Sequence, residues 1–249
     1  MKDSKKKNKN RIITVVCIAA ALCLLAAGIV LCIYLSSGPN DTDKNPVDAQ
    51  SSIETQENKE FSRVDLGEGL YLVSLADSKG AFPENGAEGD VRDSMLCATF
   101  ENTSGRTLQY AKVYVTVGEV EYLFEISTIP SGKSVYAFEK TGARGDDLQG
   151  EVSAKAEYLV FFPEEPTVLE NDLEIIVKDG SISVKNISGK DIDREISVFY
   201  KNTLNGFYLG GITYRVRISA GLKAGETVNG YASHARENAT EIMFCQYGA

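Results

Sequence analysis

A chain of 249 residues with a single histidine has few ways to build a catalytic centre. His234 stands in the polar stretch Ser233-His234-Ala235-Arg236-Glu237-Asn238. One imidazole supports at most one Ser-His-Asp triad and no multi-histidine zinc site, so His234 reads as a solvated loop side chain. Carboxylates are plentiful, but neither Glu84, Glu88 and Asp90 nor Asp146 with Asp147 has the oxygen-ligand spacing of a calcium loop. No catalytic residue, cofactor or metal site is assigned, and the chain reads as non-enzymatic.

Two groups point to binding instead. Arg144-Gly145-Asp146 is the tripeptide that many integrin ligands display, here in a glycine-rich charged loop, although Gly-Asp-Asp is also ordinary turn composition. Phe207 and Tyr208 follow the turn-forming pair Asn205-Gly206, which sets two rings near a hairpin tip. Such rings either mark a contact surface or fold back onto the core. The candidate binding residues are therefore Phe207, Tyr208, Arg144, Gly145 and Asp146. Asn102, Asn186 and Asn238 each open an N-x-S/T triplet, but in the first two cases a following Ser-Gly makes turn chemistry a sufficient reason.

Hydropathy shows what carries these groups. Residues 12–35 are an uncharged apolar run, where about 20 residues suffice to cross a bilayer as a helix. The run exceeds the core of about 7–15 residues of a cleavable signal peptide, so an uncleaved transmembrane helix is expected. Cys17, Cys23 and Cys32 lie within it and read as small apolar side chains. The first eleven residues hold six cations and one anion, a local charge of +5, which leaves −14 for the rest of a chain whose total is −9. The positive-inside bias then puts tail 1–11 in the cytoplasm and all that follows the span outside the cell membrane. So acidic a body argues against a nucleic-acid partner.

Residues 36–60 carry Pro39 and Pro46 and almost no large apolar side chain, and read as a flexible linker. Beyond Phe61 the pattern is period two with turns between, the mark of antiparallel strands. Val113, Val115 and Val117 alternate, Gly118-Glu119 offers a two-residue turn, and Val120, Tyr122, Phe124 and Ile126 return. Ile196, Val198 and Tyr200 alternate likewise, followed by Ile212, Tyr214, Val216 and Ile218 beyond Asn205-Gly206. Three stretches of the first half match the second in order: 98–105 with 182–189, 129–138 with 222–231, and 156–162 with 240–246. The expected fold class is all-β, with two small β-sandwich units at 61–162 and 166–249, parted by the two prolines of Pro163-Glu164-Glu165-Pro166 and each able to fold alone. Cys97 and Cys245 would then sit in different units, too far apart for a disulfide, and are expected as buried free thiols.

Both halves resemble the FxLYD-like modules of bacterial and archaeal envelope proteins. The resemblance lies in Asn102-Thr103-Ser104-Gly105 and Asn186-Ile187-Ser188-Gly189 after a first strand, in Val198-Phe199-Tyr200, and in Gly132 and Gly225 before the last strands. Lys201 stands where the family has an aspartate after its tyrosine, and Val-Thr-Val stands in the first half where Phe-Tyr would be. The resemblance implies an immunoglobulin-like sandwich and a binding or structural role. The function expected is a membrane-anchored extracytoplasmic binding or scaffolding protein whose partners are the membrane, through 12–35, and an envelope protein or glycan. The alternative is an accessory subunit of a membrane complex that acts through its transmembrane helix.

Overall fold

Backbone pairing organises the part of the chain that the computed structural model describes, residues 54–59, 61–85, 90–146 and 148–248. The expected tail 1–11, the transmembrane helix 12–35 and most of the linker 36–60 lie outside the described residues, as do Glu88 and Asp147. Among the described residues no helix is long and apolar enough to cross a membrane. They form an all-β structure of fourteen strands: β1 (Glu54–Lys59), β2 (Val64–Gly67), β3 (Leu70–Ala81), β4 (Val91–Asn102), β5 (Leu108–Val117), β6 (Val120–Ile129), β7 (Lys133–Phe138), β8 (Val152–Phe161), β9 (Leu173–Lys178), β10 (Ser181–Asn186), β11 (Ile196–Leu204), β12 (Phe207–Ile218), β13 (Thr227–Tyr231) and β14 (Thr240–Tyr247).

The turns are those the sequence names. Val117 pairs with Val120 across Gly118-Glu119, where Gly118 takes φ +60° against the Gln149 carbonyl. Asn205 and Gly206 both adopt positive φ, 52° and 84°, the primed geometry that matches strand twist. The halves repeat one topology. In the first, β3, β4 and β7 pair in one sheet and β6, β5 and β8 in another; in the second, β9, β10 and β13 face β12, β11 and β14. Between the first pair of sheets lies a buried cluster with Leu72, Phe100, Val113, Val115, Phe124 and Ile126, in which Phe100 and Phe124 meet edge to face at 5.6 Å. Between the second pair lie Ile182, Val184, Ile196, Val198, Val216 and Ile218. Alternation thus fills two interiors.

The corner after each first strand is the same device twice. The fully buried Asn102 donates through Nδ2 to the carbonyls of Arg106 (2.8 Å) and Ile129 (2.7 Å), and its Oδ1 accepts from the Ser104 amide (3.0 Å) and hydroxyl (2.7 Å). Asn186 repeats this with Lys190 (2.6 Å), Leu222 (3.1 Å) and Ser188 (3.0 and 2.7 Å). Each carboxamide has its donors and acceptor satisfied inside the protein.

Two features go beyond the sequence reading. The end of the stretch expected as linker is strand β1, antiparallel to β3 from Glu54↔Lys79 to Lys59↔Leu75. An edge strand needs only backbone hydrogen bonds, so ETQENK carries no apolar signature. The second feature joins the halves: β7 runs parallel to β12 over Val135↔Tyr208 and Tyr136↔Leu209. One sheet therefore continues as β1-β3-β4-β7-β12-β11-β14, with β2 also on β3.

Candidate functional site

The most unusual side chains of the molecule meet at this joint. Strands β11 and β12 pair regularly from Ile196↔Ile218 to Tyr200↔Tyr214, and again from Asn202↔Leu209 to Leu204↔Phe207. Between these runs Lys201 alone opposes Gly210, Gly211, Ile212 and Thr213, so β12 bulges and its carbonyls lose their ladder partners. Lys201 is wholly buried and supplies the missing donors: its Nζ donates to the carbonyls of Gly210 (2.9 Å), Gly211 (3.1 Å) and Ile212 (2.7 Å). Glu84, in a short 3₁₀ turn at Pro83–Asn85, works on the amides. Its Oε1 accepts from the Gly211 N–H of the bulge and, at 3.1 Å, from the Phe138 N–H of β7.

The glycines are dictated by close approach. A Cβ on Gly211 would lie 1.9 Å from the Glu125 carbonyl of β6, and Gly210 takes φ +83° beneath the Pro83 ring. Ser127 of β6 adds hydrogen bonds from its hydroxyl to the Gly211 carbonyl (3.1 Å) and with Thr213 Oγ1 (2.9 Å). Phe82, Met95, Cys97, Phe138 and Leu209 close the joint with a small apolar cluster. Burial pulls the Lys201 ammonium down to about 7, against the attraction of Glu84. Burial raises the Glu84 carboxyl, against its amide hydrogen bonds and Lys201.

Phe207 lies at the start of β12, half-buried and stacked on Tyr136 at 4.5 Å. Tyr208 is 3% exposed, belongs to the first half's apolar cluster, and donates its hydroxyl to Glu241 at 3.0 Å. Burial and Glu241 push its phenol up. The pair folds back instead of offering two rings to solvent. Arg144 and Asp146 are exposed but bind each other, with Arg144 Nε 3.0 Å from Asp146 Oδ1. Gly145 is buried, donates its amide to Ser94 Oγ (3.1 Å), and leaves no room for a Cβ beside Asp77. The tripeptide is thus a pinned bend whose charges already pair.

His234 stacks on Tyr214 at 4.4 Å, and its carbonyl accepts from Asn202 Nδ2 at 2.8 Å; it is half-buried, not a free loop side chain. Cys97 and Cys245 are buried free thiols, each pushed up to about 12 by burial and hence poor nucleophiles at neutral pH.

A second place gathers groups from both halves. A cleft of about 370 Å³ lies between Gln109, the segment Phe162–Thr167, and Phe244, Cys245 and Gln246 of β14. The segment arches over it and is tied at three points: the Phe162 amide to the Thr107 carbonyl (3.0 Å), Thr107 Oγ1 to Glu165 Oε1 (2.6 Å), and the Cys245 amide to the Thr167 carbonyl (2.8 Å). Phe162 meets Phe244 edge to face at 5.3 Å, and Phe244 stacks on Phe199 at 4.2 Å. Neither place was assigned from sequence. Glu84 was visible only as one carboxylate of a cluster and Lys201 only as a departure from a family pattern, while the prolines of 163–166 read as a boundary. No protein-family model, curated protein or solved structure matches the chain.

Proposed function

We propose that the chain is a membrane-anchored, extracytoplasmic binding or scaffolding protein of the cell envelope, without catalysis. Two immunoglobulin-like sandwich units of FxLYD type stand on a transmembrane helix at 12–35, with the N-terminus in the cytoplasm. The observation that carries this reading is the sheet continuing through both halves and locked by Glu84 and Lys201. A sheet shared between units fixes the orientation of their loops and edges, which is what a scaffold needs. The two buried groups most able to do acid–base chemistry are instead engaged by backbone atoms of the joint. The paired Asn102 and Asn186 corners support the modular reading.

The test is crosslinking in intact cells from photoreactive residues in 61–248, with partners identified for the native chain and for one whose residues 12–35 are replaced by an unrelated anchor. The same partners in both cases support the reading. Partners lost with the native helix would favour the accessory-subunit alternative, and crosslinks to cytoplasmic proteins would overturn the orientation.

A further inference from the structure

We infer that the cleft beneath the 162–167 arch is a binding site for a Lys or Arg side chain of a basic peptide segment. The inference deepens the binding reading above and rests on it for the site's location outside the membrane. The cleft's volume falls at the small end of the range for ligand sites, and it lies between two units, where such sites concentrate. It is preformed, because two prolines stiffen the arch and three hydrogen bonds tie it to strands of both halves.

Its chemistry is graded. Phe162, at the start of the arch, and Phe244 of β14 supply an apolar lining that suits the methylene stem of a long cationic side chain. The amides of Gln109 and Gln246 also line the cleft, and the carboxylates of Glu164 and Glu165 lie on the arch. Neither carboxylate is paired with a described cation. Arg106, next to Thr107, binds Glu68 at 2.6 Å and lies over the Phe161 ring instead. Attraction by a body of charge −14 brings a basic segment near, and this cleft gives its side chain a particular seat. A sugar fits less well, because two carboxylates are more charge than a neutral glycan uses.

The experiment uses the full chain in neutral maltoside micelles, with fluorescence anisotropy of labelled (Gly-Lys)₄, (Gly-Gln)₄ and a neutral N-acetylated oligosaccharide. The lysine peptide is expected to bind and the other two are not. Glu164→Gln with Glu165→Gln should weaken binding at least about tenfold, and Gln246→Arg, which places the chain's own cation in the cleft, should abolish it. A control pair on exposed turns, Glu119→Gln with Glu237→Gln, removes the same charge and should change the affinity by less than about twofold. Equal losses in both pairs would mean bulk attraction only and overturn the site, as would equal binding of the glutamine peptide or preferential binding of the oligosaccharide. Any of these results leaves the scaffold reading standing, since that reading falls only with the crosslinks from intact cells.

Discussion

Lys201 shows how one side chain can be demanded by backbone geometry. Three carbonyls freed by the bulge need donors; the ammonium brings three on one atom and the neutral amine two, so deprotonation leaves one of the three carbonyls without its donor while relieving the burial of charge. Lys201→Met would leave them bare and strand Glu84 in the interior, which is expected to cost about 3–5 kcal/mol, read as a lower urea midpoint. The lysine also sets a pH dependence. Its ordinary value is 10.5 and its folded value about 7, so between those limits the unfolded chain holds a proton that the folded chain has released. The unfolded state then binds more protons, and stability rises with pH by up to about 1.4 kcal/mol per unit. Glu84 works oppositely at acid pH: above its ordinary 4.5 the folded carboxyl keeps a proton the unfolded one has lost, so stability falls as pH climbs there. The urea midpoint should therefore rise from pH 7 to 8.5 in the native chain, and that rise should be lost in Lys201→Met, where the Glu84 carboxyl, without the lysine's attraction, is raised further and stability falls with pH instead. The window stops below 9 because the buried thiols, raised from 9 to about 12, lower stability as pH rises further. A flat native profile would show that Lys201 keeps its ordinary ionisation.

At the scale of elements, the Asn-x-Ser-Gly corner is the best test of the repeat. Asn102→Ala and Asn186→Ala each leave two carbonyls and a serine amide without their partner, at about 1–3 kcal/mol for each group the site cannot re-satisfy. Chemical denaturation should find the two losses equal within about 1 kcal/mol; a loss at one corner alone would show that the matched sequences play different roles. These corners and the two-residue hairpin turns were legible because everything they need lies within a few residues. Glu84 and Gly211 meet across 127 positions, and β7 meets β12 over two rungs of backbone, so neither leaves a local period to read. Strand β1 escaped for a related reason, since pairing on β3 requires no apolar face. The cleft was hidden because the prolines that mark a boundary in sequence also stiffen an arch in space, and only the second role involves Phe244 and Gln109.

For the whole molecule, the question is how far the halves stand alone. The second half has a complete apolar cluster of its own, yet Tyr208, Met243 and Phe244 are buried in the cluster of the first, and Lys201 shares its interior with Glu84. A fragment of residues 166–249 should therefore unfold cooperatively but at a lower urea midpoint than the intact chain, which should unfold in one transition. Equal midpoints would mean that the joint adds no stability. The joint is also one-sided. After β3 the chain carries Glu84 on the Pro83–Asn85 turn before β4, whereas β9 and β10 turn on Asp179 and Gly180 alone. In the same way β11 and β12 open at Lys201, whereas β5 and β6 pair with no break in register. The first half is all hook and the second all eye. Duplicating either half by recombination would add a unit that brings no matching fastener to its new neighbour, so growth by simple repetition would yield beads on a string, and only the ordered pair is joined through one sheet.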